Sequence, residues 1–172
     1  MSASELIRTV KVRPHPPERM TVEASEAECA ALAARLGVVA VRSLRAELAL
    51  EEDGDAVTAR GPMTADLVQS CAVSGDDFPV RVAETLALRF VPQVAALAED
   101  EEMEFAADDP DEIEFDGESF DLGEAVAQSL ALAIDPYAEG PNADAARREA
   151  GIVDEDAPKG ALADALRALR PD

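Results

Sequence analysis

Apolar and polar positions recur with two different periods along the 172-residue chain, and the changes of period mark its elements. Leu6 to Val12 is β-prone and stops at the Pro14-His15-Pro16-Pro17 break. Ser25-Glu26-Ala27-Glu28 has the form of a capping box, in which the Ser oxygen accepts from an exposed N–H and the Glu reaches back. It opens a predicted helix over 26–36, through Ala30, Ala31, Leu32, Ala34 and Leu36, with Gly37 placed to stop it. The contact side chains are small, so this helix must lie close to whatever it covers.

From Val38 the period drops from 3.6 to 2. Val38, Ala40, Leu44, Ala46, Leu48 and Leu50 share one phase, with Arg42 the exception. Asp53-Gly54 suits a two-residue hairpin turn, and Ala56 to Arg60 reads as a short return strand that Gly61-Pro62 breaks. Met63, Ala65, Leu67, Cys71 and Val73 alternate, interrupted by Gln69. After the turn Ser74-Gly75-Asp76-Asp77, so do Phe78, Val80, Val82, Leu86, Leu88 and Phe90, interrupted by Glu84. The pattern predicts an antiparallel meander of three or four long strands with one buried face.

Residues 92–111 lack periodicity and read as a flexible acidic loop, and Glu112-Ile113-Glu114-Phe115 as one more short strand. Asp121 caps a second predicted helix over 121–134, with Glu124 in the box position and Leu122, Ala125, Val126, Ser129, Leu130, Ala133 and Ile134 as its stripe. Asp135-Pro136 ends it. Ala143 to Ala150 makes one or two helical turns, and Leu162, Ala165, Leu166 and Leu169 a short terminal amphipathic helix. The expected fold is α+β: an antiparallel meander, curled toward a barrel and covered by two main helices. One domain spans 1–140, and 141–172 is a tail.

Charge changes this picture. The chain holds 37 acidic and 15 basic side chains, a formal charge of −22. No base occurs between Arg89 and Arg147, and residues 90–146 hold 17 acids. Residues 1–89 are net −4 and residues 147–172 net −1, so the surplus sits in one third of the chain. Two readings fit that segment: a solvated loop that maintains solubility, or a docking surface for a basic partner. Glu101, Glu102, Glu104, Asp108, Asp109, Asp111, Glu112 and Glu114 are the partner-binding candidates. The charge argues against nonspecific DNA or RNA binding and against docking on an anionic membrane.

Little conventional catalytic or metal chemistry is present. No leader-like apolar run opens the chain and nothing approaches the ~20 apolar residues of a membrane span, so a cytoplasmic protein is expected. Two isolated cysteines, Cys29 and Cys71, and a single histidine, His15, fall short of a structural zinc set. Cys71 lies in the apolar phase of a strand, where a buried, inert thiol is expected. An EF-hand frame with Gly117 at its sixth position puts Gly123 where a bidentate Glu is required. Neither a cofactor nor a catalytic residue is indicated.

Two segments together resemble a known family. The first runs Asp66-Leu67-Val68-Gln69-Ser70-Cys71-Ala72-Val73-Ser74-Gly75-Asp76-Asp77-Phe78-Pro79-Val80 and on to Leu86-Ala87-Leu88-Arg89-Phe90. The second runs from Phe120-Asp121-Leu122-Gly123-Glu124 through Leu130-Ala131-Leu132-Ala133-Ile134-Asp135-Pro136. This order resembles the YceD family, the bacterial domain linked to accumulation of large-subunit ribosomal RNA. Ala157-Pro158-Lys159-Gly160-Ala161-Leu162 resembles the family's proline-then-amphipathic tail. Many members carry Cys-x-x-Cys at the turn. Here Cys71 stands with Ser74, so no metal role is carried over.

The resemblance implies a non-catalytic ribosome-biogenesis factor for 23S rRNA accumulation. The charge directs it toward a basic ribosomal protein or a large-subunit precursor, with a monomer favoured. The alternative is a structured-RNA-binding protein that uses arginines on the sheet, chiefly Arg81 and Arg89 with Arg42, Arg45 and Arg60 nearby.

Overall fold

A computed structural model describes residues 4–93 and 110–152. Its centre is three long antiparallel strands, β3 (Ala40–Asp53), β4 (Ala56–Ser70) and β5 (Asp77–Pro92), with β4 in the middle. Short strands flank them: β2 (Arg19–Glu23) pairs antiparallel with β3, and β6 (Asp111–Phe115) pairs parallel with β5. A separate two-stranded sheet joins β1 (Thr9–Lys11) to β7 (Ser119–Asp121). The predicted meander is therefore present, but its sheet is open. It does not curl into a barrel, because the outermost strands β2 and β6 each pair on one side only and not with each other.

The register corrects several details of the sequence reading. Asp53 pairs with Ala56, so the two-residue turn is Gly54-Asp55, one position later than Asp53-Gly54. Gly54 has φ 62°, the positive φ such a turn needs at its first position. Gly61-Pro62 does not break the strand. β5 pairs with both residues, as Gly61↔Leu86 and Pro62↔Thr85, while the β3–β4 ladder lapses between Ala46↔Met63 and Ala49↔Arg60. Proline has no N–H for that ladder. The β3 backbone approaches so closely that a Cβ on Gly61 would lie 1.9 Å from the Glu47 carbonyl oxygen. Of the stretch Leu6 to Val12, only Thr9–Lys11 pairs as a strand. β2 and β7 carry no pattern that announced them, being too short for a period to show. Gln69 does not leave the buried phase: it is 7% exposed, and its Nε2 donates to the Asp135 carbonyl.

The inward phase of the strands packs Leu44, Leu48, Met63, Leu67, Leu88 and Phe90 into one core. α1 (Glu26–Leu36) covers it with Cys29, Leu32 and Ala33, and α2 (Leu122–Ala133) with Leu122, Val126 and Leu130. Phe90 of β5 stacks on Phe120 of β7, ring centroids 3.8 Å apart, and Phe115 of β6 meets Phe120 edge-on. α3 (Ala143–Glu149) follows, with Ala143 buried. The predicted terminal helix around Leu162 to Leu169 lies outside the described residues. Among the described residues, no helix is long and apolar enough to cross a membrane.

Both main helices start as their caps require. Ser25 Oγ accepts from Glu28 N–H, and Ser25 N–H donates to Glu28 Oε2, a complete capping box; Gly37 closes α1 in the left-handed region. Asp121 accepts from the N–H groups of Gly123 and Glu124. Glu124 does not return to the cap. Its carboxylate instead takes two bonds from Arg35 of α1, at 2.8 and 2.6 Å. Arg35 also donates to Glu5, and Arg8 grips Glu28 through both guanidinium ends. These arginines tie the amino-terminal segment and the two helices together. They hold the Glu28 and Glu124 carboxyls down to about 2, well below the ordinary 4.5.

Two outcomes follow from the packing. Gly61→Ala should lower stability by about 2 kcal/mol, read as the midpoint of urea unfolding, because its new Cβ meets backbone rather than a flexible side chain; an unchanged midpoint would contradict the close approach. Glu28 and Glu124 have folded-state pKa values below their unfolded ones, so their stabilisation is complete above about pH 4.5 and is lost as pH falls toward 2. Glu28→Gln with Glu124→Gln should flatten that acid limb of the stability curve; an unaltered limb would remove both pairs from the account.

Candidate partner-binding surface

β6 alternates from Glu112 onward, with Asp111 exposed at its start although it shares the phase of Ile113. Ile113 and Phe115 turn toward the core, and Asp111, Glu112 and Glu114 are exposed. Its parallel register sets Glu112 beside Arg89 of β5. Arg89 NH1 donates to Glu112 Oε1 at 2.6 Å, and its NH2 reaches Asp53 Oδ2 at 3.5 Å, so two acids surround it. The structure thereby joins two residues that the sequence assigned to rival surfaces: Glu112 to the acidic patch, Arg89 to an RNA-binding sheet. Asp111 and Glu114 enter no ion pair among the described residues. Glu101, Glu102, Glu104, Asp108 and Asp109 lie outside the described residues.

The other arginine candidates stand on the outer face of the sheet, which neither main helix covers. Cross-strand rows there interleave the two signs of charge: Glu23, Arg45 and Thr64 in one row, Ser43, Asp66 and Arg81 in another, and Glu51, Thr58, Arg89 and Glu112 in a third. Arg45 pairs with Glu23 and Glu47, and Arg81 lies 3.9 Å from Asp66. Arg42 and Arg60 have no ion pair among the described residues. Arg42 and Arg81 border a shallow groove with Ser43, Asp66 and Pro79, at the β-bulge between Val41 and Ser43. None of the described phenylalanines turns to this side: Phe90, Phe115 and Phe120 are buried, and Phe78 lies against Gly140. The strands of this face therefore offer no aromatic platform for base stacking, on which RNA-reading sheets depend, among the described residues.

The Cys71 turn is more polar than the sequence implied. Cys71 is buried, yet its Sγ accepts from the N–H groups of Val73 and Ser74, at 3.4 and 3.3 Å. The burial is as expected, and the Ser74 hydroxyl, the Ser74 and Gly140 N–H groups and the Val73 N–H bring the thiol pKa down to about 7. Ser74 supplies a hydroxyl where a second thiolate would be needed to hold a soft metal, so the donor set does not fit one. Among the described residues no three His, Cys, Asp or Glu side chains converge on a common point. His15 is exposed beside Glu52, in a groove whose lining includes neither cysteine. Asp116 spends its carboxylate on the N–H groups of Glu118 and Ser119, closing the β6–β7 turn.

Two residues of this surface escaped the sequence reading. Asp53 read as a turn residue, and nothing local ties it to Arg89 across 36 positions. Glu84 read as an interruption, although a charge in the buried phase of a strand is itself a signal of an exposed edge.

An acidic α+β protein with an open sheet and carboxylates along one edge strand is the class these features define. Residues 59–164 match the family described as Large ribosomal RNA subunit accumulation protein YceD, and the chain belongs to that family. The match runs from within β4 through α3 and so takes in β5, β6 and the acidic segment. The family's name implies involvement in accumulation of large-subunit ribosomal RNA. No curated protein and no solved structure matches the chain.

Arg89 has a structural use that RNA binding does not require. Arg89→Ala should cost about 0.5–1 kcal/mol of stability, as half-exposed ion pairs do, and should speed amide exchange at Ile113 by loosening β6. Unchanged exchange would return Arg89 to the pool of free cations.

Proposed function

We propose that the protein is a non-catalytic, cytoplasmic ribosome-biogenesis factor that holds a basic ribosomal protein, or a large-subunit precursor presenting one, through its acidic edge. The observation that carries this reading is the disposition of charge around β6. Arg89 is neutralised by Glu112 and Asp53, which leaves Asp111 and Glu114 as unpaired carboxylates among the described residues, at the end of a segment without bases. Such a surface attracts a basic partner by long-range steering and stands in for the phosphates that partner otherwise binds. The outer sheet face supports direct RNA recognition less well. Three of its five candidate arginines face acids, and its described strands carry no outward phenylalanine.

Affinity capture with the full chain tests the proposal. At low salt it should recover one or more basic proteins, and moderate salt should weaken the capture. Replacing Asp111, Glu112 and Glu114 by Asn, Gln and Gln should weaken it further, by about 1 kcal/mol or more. Recovery of RNA with no basic protein would overturn the proposal.

A further inference from the structure

β5 has a long unpaired edge. On one side it pairs with β4 from Asp77 to Phe90. On the other it pairs with β6 only from Leu88 to Pro92, and no described residue pairs with its upstream part. The direction of the backbone groups there follows from the registers. Ala24 N–H donates to Leu44 O and Leu50 N–H to Glu18 O, so even-numbered residues in this part of β3 turn their backbone groups toward β2. Alternation through the β3–β4 and β4–β5 registers then directs the odd-numbered residues of β5 to its far edge. Arg89 and Val91 meet β6 there. Arg81, Ala83, Thr85 and Ala87 have no strand partner there for their N–H and C=O groups among the described residues.

The charge around this edge selects what can pair with it. Glu84 lies in the core-facing phase between buried Val82 and Leu86, yet it is exposed and has no ion pair among the described residues. An apolar strand laid against it would leave the carboxylate unpaired in a newly dried contact. A strand with Lys or Arg at that position would pair with it, and the aliphatic stems of basic residues two positions away on the same face would cover Val82 and Leu86. Asp77 stands at one end of the edge, and Asp111, Glu112 and Glu114 continue beyond the other. The nearby cations, Arg81 and Arg89, already face Asp66 and Glu112. A second copy of the chain fits poorly, since it would bring its own charge of −22.

We infer that the free edge of β5 between Pro79 and Ala87 takes up an extended basic segment of the protein partner as an added strand. The inference rests on the proposed holding of a basic partner and specifies how that partner is gripped. Main-chain bonds to Arg81, Ala83, Thr85 and Ala87 supply affinity, and Glu84 supplies selection for a basic side chain.

Hydrogen exchange on the full chain tests this, with a peptide of about ten residues alternating Lys and Val as the probe. The peptide should slow exchange at the amides of Arg81, Ala83, Thr85 and Ala87 by about tenfold or more, and a Glu-Val peptide should not. Thr85→Pro removes an outward N–H without touching the β4 ladder, and Glu84→Lys reverses the selecting charge; each should weaken Lys-Val binding at least about fivefold. If Thr85→Pro misfolds, Glu84→Lys still decides. Binding that leaves those four amides unprotected would overturn strand addition while leaving the acidic surface as the holder. Equal binding of the Glu-Val peptide, or protection of these amides in the free chain, would also overturn it. No binding of Lys-Val at low salt would overturn the proposed function itself.

Discussion

The structure depends on β4 remaining one strand across Gly61-Pro62. β3 and β5 do not pair with each other, so the long sheet exists only because a 15-residue strand pairs with both. At Gly61 the β3 backbone comes too close for any side chain, and at Pro62 the β3 ladder has no donor. The strand survives there because β5 keeps its pairing through both residues, and because Met63, Ala65 and Leu67 resume the buried phase immediately afterwards. A break at this point would separate the half of the sheet that carries Asp53 and Arg89 from the half that carries Asp66 and Arg81.

That continuity also places the charges. The registers fixed by β4 bring acids and arginines side by side on the outer face, so that strands β2 to β5, with eight acids and six arginines, carry only −2 in a chain of −22. Individually these exposed pairs stabilise little. Their larger effect is to set an acid against each of Arg45, Arg81 and Arg89, and to leave Asp111 and Glu114 of β6 without a counter-charge among the described residues.

Much of this was legible in sequence because it is periodic. α1 has its predicted bounds, Glu26–Leu36, since its capping box and Gly37 are local signals. The three long strands were visible as one repeating phase. What local pattern could not reveal was decided by distant partners. β2 and β7 are five and three residues long and exist through pairing with β3 and β1. Glu124, placed as a box residue, faces a stronger partner in Arg35. Gly61-Pro62 looks like a break because sequence does not reveal that another strand supports it. For the surface, the base-free segment was plain in composition, but the pairing of Glu112 with Arg89 needed the parallel register of β6.

That register has a consequence for how acid and edge work together. β6 runs parallel to β5, so its first residue, Asp111, sits opposite Leu88, next to the point where the unpaired stretch of β5 ends. An antiparallel β6 would put Phe115 there and carry Asp111 to the far end of the strand. The parallel arrangement sets the start of the carboxylate row against the open backbone groups of Thr85 and Ala87. Under the proposed strand addition, the charge that steers a basic partner over the length of a Debye screen and the hydrogen bonds that hold it at contact range are then adjacent. Neither alone selects well: a carboxylate row attracts any cation, and a bare edge accepts any strand. Together they discriminate in favour of a segment that is both extended and basic.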